Sequence, residues 1–446
     1  MRRVIALSAL AVLSTSMPVA AQGRVTTESI ANLGRFESVQ TAEALALGLT
    51  RTLGLDNAGD AARNPAGLIR GPRVDVIGGL AGSQVRLNRY TSYSSTNQGF
   101  VHQHARIPGP HVIRGLSAAA LRRTRWAIGG FYDDTTTFRH EFATGNRLLS
   151  RPVTFRGCNE TTGQTVSSVA VDRLRIGGGF ALAITESLAV GFSAEAARLR
   201  ADVQSVSDIT NLMCGIGGFP GTTTEYIESG QLTADQWKGG TTLGATLRPR
   251  TDVVVSFVWQ RAPAYAAPVD VRQRFRDGRP VGPLAVAGGG DRRFVASLDV
   301  PDSLSAGAAW TARMATVTGE IAWTDNRILR NSSLLLPDPV ALEQTGGSLA
   351  LNVRGGLEWR FPAGNARTIA VRAGLSHEGP AGLKPVEPRV GTTVPLDAQR
   401  WMTNSNRRTW ITTGGAFEIS AFEVAAAFAA TSDERRFLVT TGARLP

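Results

Sequence analysis

Histidine and cysteine are the residues through which metal or nucleophilic chemistry would first be sought, and this chain has five of one and two of the other. His102 and His104 share a face and lie close to His111. Three imidazoles in one segment have the ligand chemistry for a metal ion. Solvated loop histidines account for the same residues without one. No Ser-His-Asp grouping falls at a strand end, and no phosphate-cradling Walker loop occurs. Neither catalysis, a cofactor nor a resident metal is therefore expected. Cys158 and Cys214 lack nearby histidines, which argues against a metal site. In an oxidising compartment they are candidates for a disulfide, with their separation in space left open.

The charges with the most orderly spacing lie on alternating stretches. Between Leu349 and Phe361, Leu349, Leu351, Val353, Leu357, Trp359 and Phe361 fall on one parity, while Asn352, Arg354, Glu358 and Arg360 fall on the other. Period two means a β-strand with two chemically different faces. Glu320, Arg372, Glu418 and Glu423 lie on the polar parity of similar stretches. In a closed barrel the apolar parity meets lipid and the polar one lines the lumen. Arg354, Arg360, Arg372, Glu320 and Glu358 are then the lumen candidates for contact with a ligand. The arginines are able to pair with a carboxylate-bearing ligand or with Glu320 and Glu358 themselves.

The elements that must position these residues can be read along the chain. Arg2 and Arg3, an apolar run from Val4 to Leu13, and Val19-Ala20-Ala21 form an export signal over residues 1–21. No later run of about 18 apolar residues could span a bilayer as a helix. The net charge is +12, almost all of the basic residues are arginine, and they are scattered. This argues against a nucleic-acid surface and suits a polar lumen or contact with anionic head groups of an outer-membrane lipid leaflet.

Alternation predicts fourteen strands over 74–87, 112–123, 126–138, 173–185, 187–200, 240–249, 252–261, 304–313, 315–325, 349–361, 367–378, 409–420, 422–431 and 434–445. Short turns near Thr124, Glu186, Pro249, Met314, Pro362 and Ala421 alternate with long connections at 88–111, 139–172, 207–239, 262–303, 326–348 and 379–408. That segregation, with an even strand number, predicts an all-β, transmembrane antiparallel barrel of the bacterial outer membrane over 74–446. Trp126, Trp310 and Trp359 at short-turn ends and Trp259, Trp323 and Trp410 at long-loop ends suggest two interfacial girdles. Residues 22–73 do not alternate. A wide polar barrel needs filling, so they are expected to form an N-terminal plug.

Within that segment, Ala44-Leu45-Ala46-Leu47-Gly48, Asp56-Asn57-Ala58 and Asn64-Pro65-Ala66-Gly67-Leu68 resemble the N-terminal signature of the FadL family. Val300-Pro301-Asp302-Ser303-Leu304-Ser305-Ala306-Gly307 and the Arg372-Ala373-Gly374 strand add to the resemblance. It implies a monomeric fourteen-stranded barrel with an N-terminal hatch. It also implies passive uptake of fatty acids, aromatic hydrocarbons or other small hydrophobic ligands, with capture in an extracellular groove, passage past the hatch and lateral exit through the barrel wall. Relatives that act as non-transporting scaffolds or secretion accessories share the corner motif and supply the alternative. In the corner, Pro65 fixes φ, Gly67 is expected to permit a tight bend, and Asn64 to bond nearby backbone. Holding the plug to the wall is the expected role of this motif. The chain departs from the family in ending Arg444-Leu445-Pro446 rather than on an aromatic residue.

Overall fold

The computed structural model describes residues 41–445 except for 86–87, 97–98, 108–110, 144–146, 151–159, 214–221, 283–289, 298–301, 326–341, 345–348, 365–366, 380–382, 386–407 and 432–433. Fourteen of its strands form the barrel: β1 (Val74–Val85), β2 (His111–Arg122), β3 (Trp126–Ala143), β4 (Glu160–Ala183), β5 (Leu188–Met213), β6 (Thr222–Arg250) and β7 (Val253–Arg261), then β8 (Ser303–Ala312), β9 (Ala315–Asp325), β10 (Leu349–Pro362), β11 (Arg367–Glu378), β12 (Arg408–Ile419), β13 (Phe422–Ala430) and β14 (Glu434–Leu445). Each pairs antiparallel with its neighbour, and β1 pairs with β14 from Val74↔Leu445 to Val85↔Glu434, which closes the sheet. Closure removes the edges whose unpaired backbone would be costly in lipid.

The two faces follow the sequence parity. On β10, Leu351, Val353, Leu357, Trp359 and Phe361 are exposed on the outside, whereas Arg354 and Glu358 are buried inside. The same division separates Val317 and Ile321 from Glu320, and Val371 and Leu375 from Arg372. The outer row continues around the wall through Ile128, Phe180, Phe192, Leu243, Phe257, Phe417, Val424 and Phe437. Trp126, Trp310, Trp359 and Trp259 belong to it, and Trp237 joins them. Trp410 does not. It is fully buried on the inner parity of β12, with the Arg436 guanidinium 4.2 Å above its ring. Its parity with Thr412 and Glu418, rather than its nearness to a strand end, decides its side.

Several stretches expected to be loops are strands. β4, β5 and β6 run for 24, 26 and 29 residues and carry the sheet well beyond the bilayer. Residues 88–107 contain a hairpin, Asn88–Thr96 with Gly99–Ile107, and the 262–303 connection contains strands Ala266–Phe275 and Arg292–Ser297. Above the bilayer the outer face meets water. Glu160-Thr161-Thr162-Gly163-Gln164-Thr165 therefore pairs as strand without any apolar alternation that would announce it. Residues 1–40, with the export signal, and both Cys158 and Cys214 lie outside the described residues. The side chains of His102, His104 and His111 do so as well. No group of histidine, cysteine and carboxylate residues able to hold a metal occurs among the described residues.

Residues 41–72 lie within the barrel. Helix α1 (Ala42–Ala46) packs on β11 to β14, and a 3-10 helix, Pro65–Ile69, packs on β2 to β6. Helix α2 (Asp60–Arg63) lies against β3 and β4. The segment thus crosses from one side of the wall to the other. Leu45, Leu49, Leu68 and a series of alanines bury themselves against inward-facing Leu116, Phe131 and Leu438.

Candidate functional site

The lumen candidates are brought together, and their partners are one another and the inner segment. Glu320 Oε2 accepts from the Thr50 hydroxyl at 2.8 Å and from the backbone N–H groups of Arg51 and Thr52 at 2.7 and 2.8 Å. Its other oxygen holds Arg354, which faces it across the β9–β10 ladder. Arg372 donates to Glu358 Oε2 at 2.6 Å and reaches Glu43 of α1 at 3.4 Å. Arg360 donates to Glu358 Oε1 at 2.7 Å and lies 3.8 Å from the same Glu43. All five residues therefore face inward, as their parity predicted, in two clusters that grip the turn at 50–52 and the start of α1. A charged acceptor with several N–H donors is a strong anchor, because each such bond outweighs a neutral one.

The Asn64-Pro65-Ala66-Gly67-Leu68 corner is the third anchor. Asn64 caps the 3-10 helix through the Ala66 N–H at 3.2 Å, and its amide donates to the Thr52 carbonyl at 2.7 Å and the Thr246 hydroxyl at 3.2 Å. The wall makes room for it by having no side chain there. A Cβ on Gly244 would overlap Asn64 Oδ1, and one on Gly191 would overlap the Pro65–Ala66 backbone. These two glycines are register partners on β5 and β6. Gly67 serves differently from expectation. Its φ is not positive; instead its Cα lies so close to Gly54 and to Asp60 Oδ2 that a Cβ would stand 2.7 Å from that oxygen. Close packing, not a bend, requires glycine at that position. The left-handed turn belongs to Gly48, at φ 79°, and Leu49, at 65°.

Burial sets the protonation of two groups in this segment. Asp60 is fully enclosed, and burial raises its carboxyl to about 7 although Arg63 lies 2.8 Å away. Burial, reinforced by Arg354, lowers the Arg51 guanidinium to about 9.

A further lumen cluster has no counterpart among the sequence candidates. Arg175 of β4, fully buried, bonds Glu195 through Nε at 3.0 Å and lies 3.5 Å from Asp133, with Phe131 beneath it at 5.6 Å. Arg114 of β2 lies 3.4 Å from the same Asp133, and Arg173 is buried beside them. The signal was present. Arg173 and Arg175 share a parity with Gly177 and Gly179, opposite outward Ile176 and Phe180.

Next to this cluster the wall ladder breaks. β6 pairs with β7 only up to Thr241↔Arg261 and then with Ala266–Phe275 from Leu232↔Val269 upward. Residues 233–240 have no ladder partner on that edge, although all pair with β5 on the other. Facing them is Ala262-Pro263-Ala264-Tyr265-Ala266-Ala267-Pro268. Neither proline has an N–H to donate, and Gly239-Gly240 opposite adds little to hold a strand. Two side chains span the break. Gln236 accepts from the Ala266 N–H at 3.3 Å and donates to its carbonyl, and Tyr265 turns inward to donate to the Ala197 carbonyl of β5 at 3.2 Å. The ten residues from Thr241 to Arg250 cover about 31 Å of strand, or about 24 Å of depth at a tilt of about 40°. The break therefore begins at the top of the apolar band, flanked outside by exposed Trp237 and Trp259. Leu199 is buried at its level, and above it the inner face is apolar, with Val203, Leu232, Val269 and Val271 all buried.

No family model and no curated protein matches this sequence. Solved structures do. A Pseudomonas aeruginosa FadL homologue matches at 12% identity and a TM-score of 0.58, the P. putida toluene transporter TodX at 14% and 0.53, and the Ralstonia pickettii toluene transporter TbuX at 14% and 0.51. Each match covers 91% of this chain and 98% of the other. The chain has the FadL-type fold.

With its apolar outer row, its short turns on one side and this FadL-type frame, the chain is a multi-pass barrel of the outer membrane. Two of these solved neighbours, TodX and TbuX, are toluene transporters. The fourteen strands expected from alternation correspond one to one with the fourteen barrel strands of this chain.

Proposed function

We propose that this chain is a passive outer-membrane transporter for long-chain fatty acids or other small hydrophobic compounds. The ligand is captured on the extracellular side and leaves sideways through the wall above the hatch. The observation that carries this reading is the interrupted β6–β7 ladder, a break placed where the apolar band ends and lined inside by Tyr265 and the Arg175 cluster. Support also comes from the inner segment, which is bonded to the wall on several sides and would leave a ligand no straight way down. Apolar Leu199 at the break and Leu232 and Val269 above it suit a hydrophobic ligand, and the arginines at its level suit one bearing a carboxylate. The bonded inner segment equally favours the second reading, a static barrel that serves as a scaffold or secretion accessory.

Uptake of radiolabelled oleate and of toluene in a strain lacking its own fatty-acid porin separates the two. Expression of the chain raises uptake of one or both under the transport reading and of neither under the scaffold reading. Joining Gln236→Cys to Ala266→Cys closes the break. Uptake then falls and returns on reduction; unchanged uptake in the oxidised variant overturns lateral exit at this place.

A further inference from the structure

The short-turn rim of the barrel carries an unusual charge. The entry to β1 has Arg70 and Arg73, the β2–β3 turn Arg123 and Arg125, the β6–β7 turn Arg248 and Arg250, the β8–β9 turn Arg313, and the β10–β11 turn Arg367. Against these eight stand Glu186 and Asp252 in the turns, Asp56 beside Arg248, and Glu418 and Glu423 flanking the β12–β13 turn, where they are already paired with Arg444 and Arg360. Arg248 leans on Asp56 at 3.5 Å and Arg250 on Asp252 at 3.2 Å. Arg73, Arg123, Arg125, Arg313 and Arg367 are exposed and have no acidic partner among the described residues. Arg122, inside the same rim, is a different case, since it is buried and spent on the Leu68 and Pro72 carbonyls.

Three features say what this rim meets. First, the arginines are distributed around the circumference rather than gathered on one side, so no single macromolecule of ordinary size covers them. Second, they lie at a fixed depth. Arg125 precedes Trp126, Arg313 follows Trp310 by three residues, and Arg367 faces the strand that ends in Trp359 and Phe361. Those aromatic rings are exposed to lipid and mark the interfacial layer, and a long side chain beside them snorkels into the head-group plane. Third, every cation is arginine, in a chain whose only lysines are Lys238 and Lys384. The planar guanidinium fork matches phosphate oxygens two at a time, as an ammonium cannot.

We infer that this rim is a binding collar for the phosphate groups of anionic phospholipids in the periplasmic leaflet. It is independent of what the lumen carries. Lipid bound there fixes the vertical position of the barrel and ties the turns together from outside, as the inner segment ties them from within.

The test reconstitutes the full chain in phosphatidylcholine vesicles with and without phosphatidylglycerol and follows unfolding by its heat-modifiable gel mobility. Phosphatidylglycerol is expected to raise the midpoint by several degrees, and half-molar salt to remove the gain, as screening of exposed charge requires. R73Q/R123Q/R125Q/R313Q/R367Q is expected to keep the midpoint of the parent in phosphatidylcholine and to lose the gain. Should the fivefold variant fail to assemble, R123Q/R125Q alone is expected to lose part of it. Native mass spectrometry of the extracted chain then counts retained phosphatidylglycerol, expected to fall in either variant. No response to phosphatidylglycerol, or an equal response in parent and variants, overturns the collar. So does tighter binding of soluble polyglutamate than of phosphatidylglycerol vesicles, which would assign the rim to an acidic macromolecule.

Discussion

Glu320 offers the sharpest separation between a ligand-binding and an anchoring role, because its partners are so completely defined. Replacing Glu320 with Ala leaves the Arg354 guanidinium buried without its carboxylate, and removing one member of a buried ion pair costs about 3–5 kcal/mol. The Arg51 and Thr52 N–H groups and the Thr50 hydroxyl also lose their acceptor. Each buried unsatisfied group adds about 1–3 kcal/mol, less whatever water reaches it. The turn at 50–52 thus loses about 5 kcal/mol of attachment, while the β9–β10 ladder, made by backbone, stays intact. The barrel remains folded and the loss is local. Hydrogen exchange of a peptide covering residues 47–55 reads it directly: about 5 kcal/mol corresponds to over a thousandfold faster exchange. A second variant, Glu320→Met with Arg354→Met, removes both charges. It recovers the part owed to Arg354 and leaves the part owed to the turn, which a double-mutant cycle resolves. Unaltered exchange at Arg51 and Thr52 in Glu320→Ala would refute the anchoring argument. A loss of ligand affinity with unaltered exchange would return Glu320 to the ligand.

Two further outcomes follow from the corner and from α2. Gly244→Leu drives a side chain into Asn64 and unseats the 3-10 helix, whereas a Cβ on Gly239 of the same strand meets only the Glu195 carbonyl oxygen, at 3.9 Å; protease cleavage within residues 41–72 is expected to appear in Gly244→Leu and not in Gly239→Leu. Asp60 titrates at about 7 in the folded chain, above its unfolded value of about 3.9, so the native state holds the proton more tightly. The contribution of Asp60 to stability therefore grows as pH falls through 7 towards 4 and is flat outside that window. Urea midpoints measured across that range should show this rise, and Asp60→Asn should flatten it.

The wall was legible where it crosses lipid, because only there does one face have to be apolar. Leu351, Val353 and Leu357 on one parity and Arg354 and Glu358 on the other suffice to orient β10. The same logic fails for 160–172 and 222–239, where both faces of the extended strands lie outside the bilayer and serine, threonine and glycine serve equally as strand or loop. Trp410 lies near a strand end yet faces inward, because its parity with Thr412 sets its side. The lumen charges could be assigned a side but not a partner. Glu43, which answers Arg372, is 329 residues away, and no local pattern relates the two. Gly191 and Gly244 are legible only afterwards, since their role depends on what the opposite segment brings against them.

Under the proposed route, the fixed inner segment and the broken ladder belong to one design. A strand edge opened in the middle of the bilayer would leave N–H and C=O groups facing hydrocarbon, at several kcal/mol each. The edge at 233–240 has no ladder bonds to lose, so a passing ligand there displaces only Gln236 and Tyr265. It also begins where the apolar band ends, so water and head groups satisfy the groups left free. A break of this length is tolerable at that depth and at few others. An inner segment that moved would make such a break unnecessary; one bonded at Glu43, Thr50 to Thr52 and Asn64 leaves the side of the barrel as the way out.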